Sequence, residues 1–190
     1  MKRFFALVVV CLIMVVNISV SSAALVPVSS DDVDTLYSKI RTFTRRTSIS
    51  LNFTKLVPMG ESDFQISVTG ETKRLSLLAG QSGLKNSNRY QCLMSYGMDK
   101  QNRVMAMTFE NSSRDKQGDD VCGTMWVSAL FAIGLNREEI DELFNKFRIE
   151  EKRNPDHINV NVWSSNQNKY IVVLYSKLSV GILASDTKVY

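Results

Sequence analysis

The stretch DDVCGTMWVSALFAIGLNREEIDELFNKFR, residues 119–148, decides the fold. Cys122, Met125, Trp126, Ala129, Leu130 and Ile133 recur at steps of three and four, the spacing that gathers one face of a helix. Val127, Phe131 and Leu135 add apolar surface beside that face, which predicts a helix buried on more than one side. Gly134 suits the left-handed turn that ends such a helix. Asn136 then caps a second helix, Glu139 completes a capping box, and Leu135 and Ile140 stand where a hydrophobic staple closes the joint. Ile140, Leu143, Phe144 and Phe147 continue the apolar face. The pair is strong evidence for structure and weak evidence for chemistry.

Downstream, after Asn154–Pro155, Ile158, Val160 and Val162 alternate as a half-buried strand. A loop at Ser164–Lys169 leads to Tyr170–Tyr175, nearly all apolar and therefore a strand covered on both faces. Leu178–Ala184 is the last predicted strand. Upstream, the polar run Asn111–Asp120 leads into the helix pair, with Asp119 or Asp120 as the predicted cap. Before it stand a strand at Arg103–Phe109 and a strand placing Tyr90, Cys92, Met94 and Tyr96 on one face, joined by a hairpin loop at Gly97–Asn102. That shared face makes Tyr90 and Tyr96 core rather than a ligand platform. Three more alternations precede these: Leu75, Leu77, Ala79; Phe64, Ile66, Val68; and Ile49, Leu51, Phe53. Ser29–Asp32 starts a first helix through Val33, Leu36, Tyr37, Ile40 and Phe43.

The order is helix, five strands, two helices, three strands. Short connections imply antiparallel pairing. The predicted class is α+β: an antiparallel sheet of about eight strands with an N-terminal helix and a central helix pair packed on it. Each half reads as helix before a three-strand meander, which raises an internal repeat, although no matching residues carry it.

Met1–Lys2–Arg3, the apolar run Phe4–Val16 and the small residues to Ala24 form a secretory signal peptide over residues 1–24, cleaved after Ala23 or Ala24. The apolar run is short of the roughly 20 residues of a spanning helix, so no stable membrane anchor is expected after cleavage. Residues 25–190 then make a single domain, periplasmic or secreted. The full chain has 23 basic and 19 acidic side chains; losing Lys2 and Arg3 leaves 21 and 19, a formal net charge of +2. That near-balance is no nucleic-acid footprint. Arg41, Arg45 and Arg46 cluster at the end of the first helix, where the dipole favours cations.

Cys92 and Cys122 are the cysteines left after cleavage, and an even pair in an exported chain predicts a disulfide. His157 is the single histidine, so a His-rich zinc site is excluded; no metal or cofactor is expected. A bridged pair also leaves no Cys–His nucleophile, and there is no Gly-x-Ser-x-Gly elbow. Glu138, Glu139, Asp141, Glu142, Glu150 and Glu151 lie together, the pattern of a solvated helix face. Asp115, Asp119 and Asp120 do not match a calcium loop. Asn52 and Asn111 open glycosylation sequons; Asn111, in a loop, is the better acceptor.

One stripe suggests recognition. His157, Asn159, Asn161 and Trp163 face opposite to Ile158, Val160 and Val162. A tryptophan aligned with amides and an imidazole can stack on and hydrogen-bond a sugar or peptide; the competing reading is an ordinary wet sheet face. The leading expectation is an exported, non-enzymatic domain that binds a protein, a peptide or a cell-envelope component. The alternatives are an envelope-polymer hydrolase using paired carboxylates and a carrier of an apolar ligand.

Overall fold

The computed structural model describes residues 24–58, 73–82, 90–177 and 179–189. Its elements are β1 (Leu25–Val26), α1 (Val33–Thr44), β2 (Leu51–Phe53), β3 (Val57–Pro58), β4 (Lys73–Gln81), β5 (Cys92–Met98), β6 (Val104–Asn111), α2 (Lys116–Ala132), α3 (Arg137–Arg153), β7 (His157–Ser164), β8 (Lys169–Ser176) and β9 (Ser179–Ser185). The nine strands form one antiparallel sheet in the order β2-β4-β5-β6-β9-β8-β7. β1 pairs with β9, and β3 pairs with β4. The fold is α+β, as the hydrophobic periods imply. β1 and β3 are two residues each, too short to leave an alternation in the sequence. The signal peptide and the alternation at Phe64–Val68 lie outside the described residues.

The joint forms as its residues dictate. Ile133 caps α2 and Gly134 follows at φ 97°. Leu135 N–H donates to Leu130 C=O at 3.1 Å and Gly134 N–H to Phe131 C=O at 2.9 Å, the paired bonds of a Schellman turn. Asn136 then accepts from Glu139 N–H while Glu139 accepts from Asn136 N–H, a complete capping box.

α2 is the centre of the molecule. Phe131 stacks on Phe43 of α1 at 5.5 Å, and Trp126 meets Phe144 of α3 at 5.2 Å. Val121, Met125, Ala129 and Leu130 are fully buried. Burying each of the larger ones removes an apolar side chain from water, worth about 1.5–3 kcal/mol apiece. Beneath lie Tyr96, Met107, Ile182, Val173 and Val160, each the cross-strand partner of the next over five strands. Tyr96 is buried in that layer, so it belongs to the core. The Cys92–Cys122 disulfide staples the start of β5 to the first turns of α2.

Two local expectations are corrected. The cap of α2 is Asp115, not Asp119 or Asp120: its carboxylate accepts from Gly118 N–H at 2.8 Å, and the helix begins at Lys116. Asn111 is no loop residue. It ends β6, is 8% exposed, and donates to Asp119 Oδ1 at 2.7 Å and to Asp115 C=O at 2.9 Å. Its amide nitrogen is spent on the helix start, so a glycan there would break both bonds. Asn52 lies exposed on β2.

Candidate functional site

β7 is the last strand of the sheet, and its period-two pattern sorts its side chains cleanly. Ile158, Val160 and Val162 enter the core beneath the helices. His157 and Asn159 are exposed on the opposite face, Asn161 is half-buried, and Trp163 keeps 40% of its surface in solvent. The stripe therefore exists as one row on the face away from the helices. The hairpin to β8 sets Trp163 opposite Tyr170, ring centroids 4.9 Å apart and planes at 66°. Edge-to-face pairs of this kind contribute about 0.5–1.5 kcal/mol and fix the indole plane. Glu139 holds the hairpin from behind, accepting from Ser165 N–H and Ser165 Oγ, each at 2.7 Å.

The same residues own the open edge. In an antiparallel pair, alternate residues turn both main-chain groups away from the partner strand. Asn161 C=O accepts from Lys146 Nζ of α3 at 2.9 Å, so it points outward. By that alternation the main-chain groups of Asn159 and Trp163 point outward too. Lys146 covers the middle of the edge and also pairs with Glu142 at 2.6 Å. A charged cover of this type discourages indiscriminate strand pairing.

The chain uses part of this face itself. Val189 is buried with Val172, beside Leu174 and Leu183. Asn161 Nδ2 donates to Val189 C=O at 2.6 Å, pinning the segment after β9 across the face. Asn161 is thus a structural contact here, while His157, Asn159 and Trp163 remain open.

The acids of α3 are arranged as a solvated face with one exception. Asp141 pairs with Arg137, Glu142 with Lys146 and Glu150 with Arg153. Glu138 and Glu151 are exposed. Glu139 is 8% exposed and accepts three hydrogen bonds. Both thiols are in the disulfide, and no cluster of three metal-ligating side chains occurs among the described residues. No helix among the described residues is long and apolar enough to cross a membrane. The arrangement on β7 offers stacking, amide hydrogen bonds and strand pairing.

Two participants escaped the sequence reading. Tyr170 opens a strand that the sequence predicts as nearly all apolar, and the loop at Ser164–Lys169 fixes the register that places it beside Trp163. Val189 left no periodic signal. Its cover of Val172 depends on the path of the chain after β9. No protein-family model, curated protein or solved structure matches this chain.

Proposed function

We propose that the protein is an exported, non-enzymatic binding domain that recognises an extended peptide or cell-envelope component along β7. The observation that supports this reading is Trp163: 40% exposed, braced by Tyr170, and in line with His157 and Asn159 on a strand at the sheet edge. An exposed aromatic on a rigid strand loses little entropy on binding and gives stacking area. The Cys92–Cys122 disulfide supports export, since such bonds persist in oxidising compartments. β1 begins at Leu25, so cleavage after Ala23 or Ala24 leaves it whole.

The test is binding of an extended-peptide library and of soluble envelope glycans to the oxidised mature protein, compared with Trp163→Ala. A ligand of the wild type is expected to lose at least tenfold in affinity while the thermal midpoint stays within a few degrees. Cooperative unfolding of Trp163→Ala, or an affinity unchanged by it, refutes the role of this residue.

A further inference from the structure

The opposite end of the sheet carries a cationic cleft, independent of the surface on β7. Arg41 in the last turn of α1 lies with its guanidinium carbon 5.5 Å from the ring centres of both Tyr37 and Phe53. Those rings meet edge-on at 6.1 Å. Arg46 lies likewise over Phe43 at 5.3 Å. Arginine on an aromatic face is pre-ordered, and its planar fork matches a carboxylate. Two adjoining hollows of about 280 and 320 Å³ share Arg41 and Phe53 as a common wall. The first adds Arg45, Thr47, Ser48 and Ser50; the second adds Lys55 and one acid, Asp34. Arg41, Arg45 and Lys55 form no ion pair with a described residue, whereas Lys39 and Arg103 are paired with Asp31 and Asp99.

The cleft runs along a strand edge. Ser82 N–H donates to Ser50 C=O, and Thr54 N–H to Leu78 C=O, each at 2.9 Å. Residues 50 and 54 of the β2 segment therefore turn their main chain toward β4. By alternation, Leu51 and Phe53 turn theirs away, where they meet no partner among the described residues. Strand groups and guanidinium groups that lie side by side without a partner among the described residues suit a chain that brings both backbone and carboxylates.

We infer that the cleft between α1 and edge strand β2 binds an acidic peptide in extended conformation, its main chain pairing with Leu51 and Phe53 and its carboxylates meeting Arg41 and Arg45. This is strand addition with charge-directed specificity. A peptide with acids at alternate positions presents them on one face, toward the arginines. The dipole at the end of α1 stabilises the arginines in place and does not oppose this role, because both line the cleft.

The experiment uses the oxidised mature chain and a fluorescein-labelled nine-residue peptide alternating Glu and Val, followed by anisotropy at about 0.15 M salt. The Glu peptide is expected to bind at least tenfold more tightly than its Gln counterpart. Arg41→Gln is expected to weaken it about tenfold or more, and Arg41→Lys to recover only part of that loss. Arg137→Gln removes the same charge from the exposed start of α3 and is expected to leave binding unchanged. Amide exchange at Leu51 and Phe53 is expected to slow on binding. If Arg41→Gln disturbs the fold, Arg45→Gln gives the same comparison. Equal losses in the Arg137 and Arg41 variants, equal affinity for both peptides, or unchanged exchange at residues 51 and 53 overturns the inference. So does binding to phosphatidylglycerol vesicles without binding to the Glu peptide.

Discussion

Glu139→Ala tests whether the helix joint and the β7–β8 hairpin are one cooperative unit. Three donors converge on this carboxylate: Asn136 N–H at 3.0 Å, and Ser165 N–H and Ser165 Oγ at 2.7 Å. Hydrogen bonds to charged groups contribute roughly 1.5–3 kcal/mol each when buried. Asn136 and Ser165 are themselves exposed, so water can satisfy part of what is lost. The expected cost is therefore about 2–4 kcal/mol in total, below the simple sum. Glu139→Gln keeps one acceptor but turns an NH2 group toward a donor, and is expected to cost about 1–2 kcal/mol. Urea unfolding of the oxidised protein, followed by tryptophan fluorescence, gives both values. Glu138→Ala is the control, since Glu138 is an exposed acid in the same first turn and its loss should stay within about 0.5 kcal/mol. A double-mutant cycle with Ser165→Ala isolates the contact across the joint. Amide exchange at Ser165 is expected to rise in Glu139→Ala. If Glu139→Ala costs no more than Glu138→Ala, the carboxylate is not the tie between helix and hairpin, and the support of Trp163 must come from elsewhere.

Reduction of the Cys92–Cys122 bond, whose partners are 30 residues apart, should lower stability by about 3–4 kcal/mol in the chain-entropy model. Urea midpoints with and without reductant measure it, and a loss under about 1 kcal/mol contradicts a constraint on the unfolded chain. Lys169 should give the stability a pH dependence. Burial lowers its ammonium from 10.5 to about 8, and its Nζ donates to Pro27 C=O at 2.6 Å. At neutral pH the charged form is penalised in the folded state alone. Stability should thus rise from about pH 8 towards pH 10, where the unfolded lysine is still protonated. The full shift corresponds to about 3 kcal/mol, but the group is half-exposed and the carbonyl favours the cation, so about 1–2 kcal/mol is expected. Above about pH 10 the trend should reverse, because burial raises the phenols of Tyr96, Tyr37 and Tyr175 and the unfolded chain ionises first. Lys169→Met should flatten the rise; a rise that persists in that variant assigns it to another group.

The fold was legible where one residue type does one job. Gly134 and Asn136 act through their own backbone and nearest neighbours, so spacing alone exposes them. Glu139 does two jobs. Its capping role is local and visible, while its bonds to Ser165 span 26 positions and are invisible to any periodic pattern. It therefore looked like one more acid on a solvated face. Asn111 misled for the same reason: a polar run suggests a loop, yet its amide closes the turn into α2 against Asp115 and Asp119. Trp163 was placed on the right face by alternation, whereas its brace Tyr170 and the segment at Val189 needed the tertiary path. Arg41 was read through the helix dipole, although Tyr37 four residues earlier already marks a helical i,i+4 aromatic–cation pair.

The strand order explains why recognition is proposed at the two ends. From β4 to β7 the order is β4-β5-β6-β9-β8-β7, so the last strands of the two meanders meet in the middle and their first strands lie outermost. The helices cover one face and fill it with side chains, which leaves the opposite face and the margins for contact. Margins carry unpaired main-chain groups and are hazardous unless managed. The two ends manage this differently. At β7, Lys146 bonds the central outward carbonyl, which closes the middle of the edge and leaves Trp163 open on the adjoining face. At the other margin, the edge is split into β2 and β3, three and two residues long, with Pro58 in the second. Short pieces with a proline resist nonspecific pairing. Arg41 and Arg45 add a charge requirement that a neutral strand does not meet. Filling both sites at once is sterically compatible with this order, since four strand rows separate β2 and β3 from the β8–β7 hairpin. Saturating the cleft with the acidic peptide should therefore leave the affinity of a β7 ligand unchanged within twofold. Competition between the two ligands would mean that they share one site, and would refute the assignment of separate surfaces.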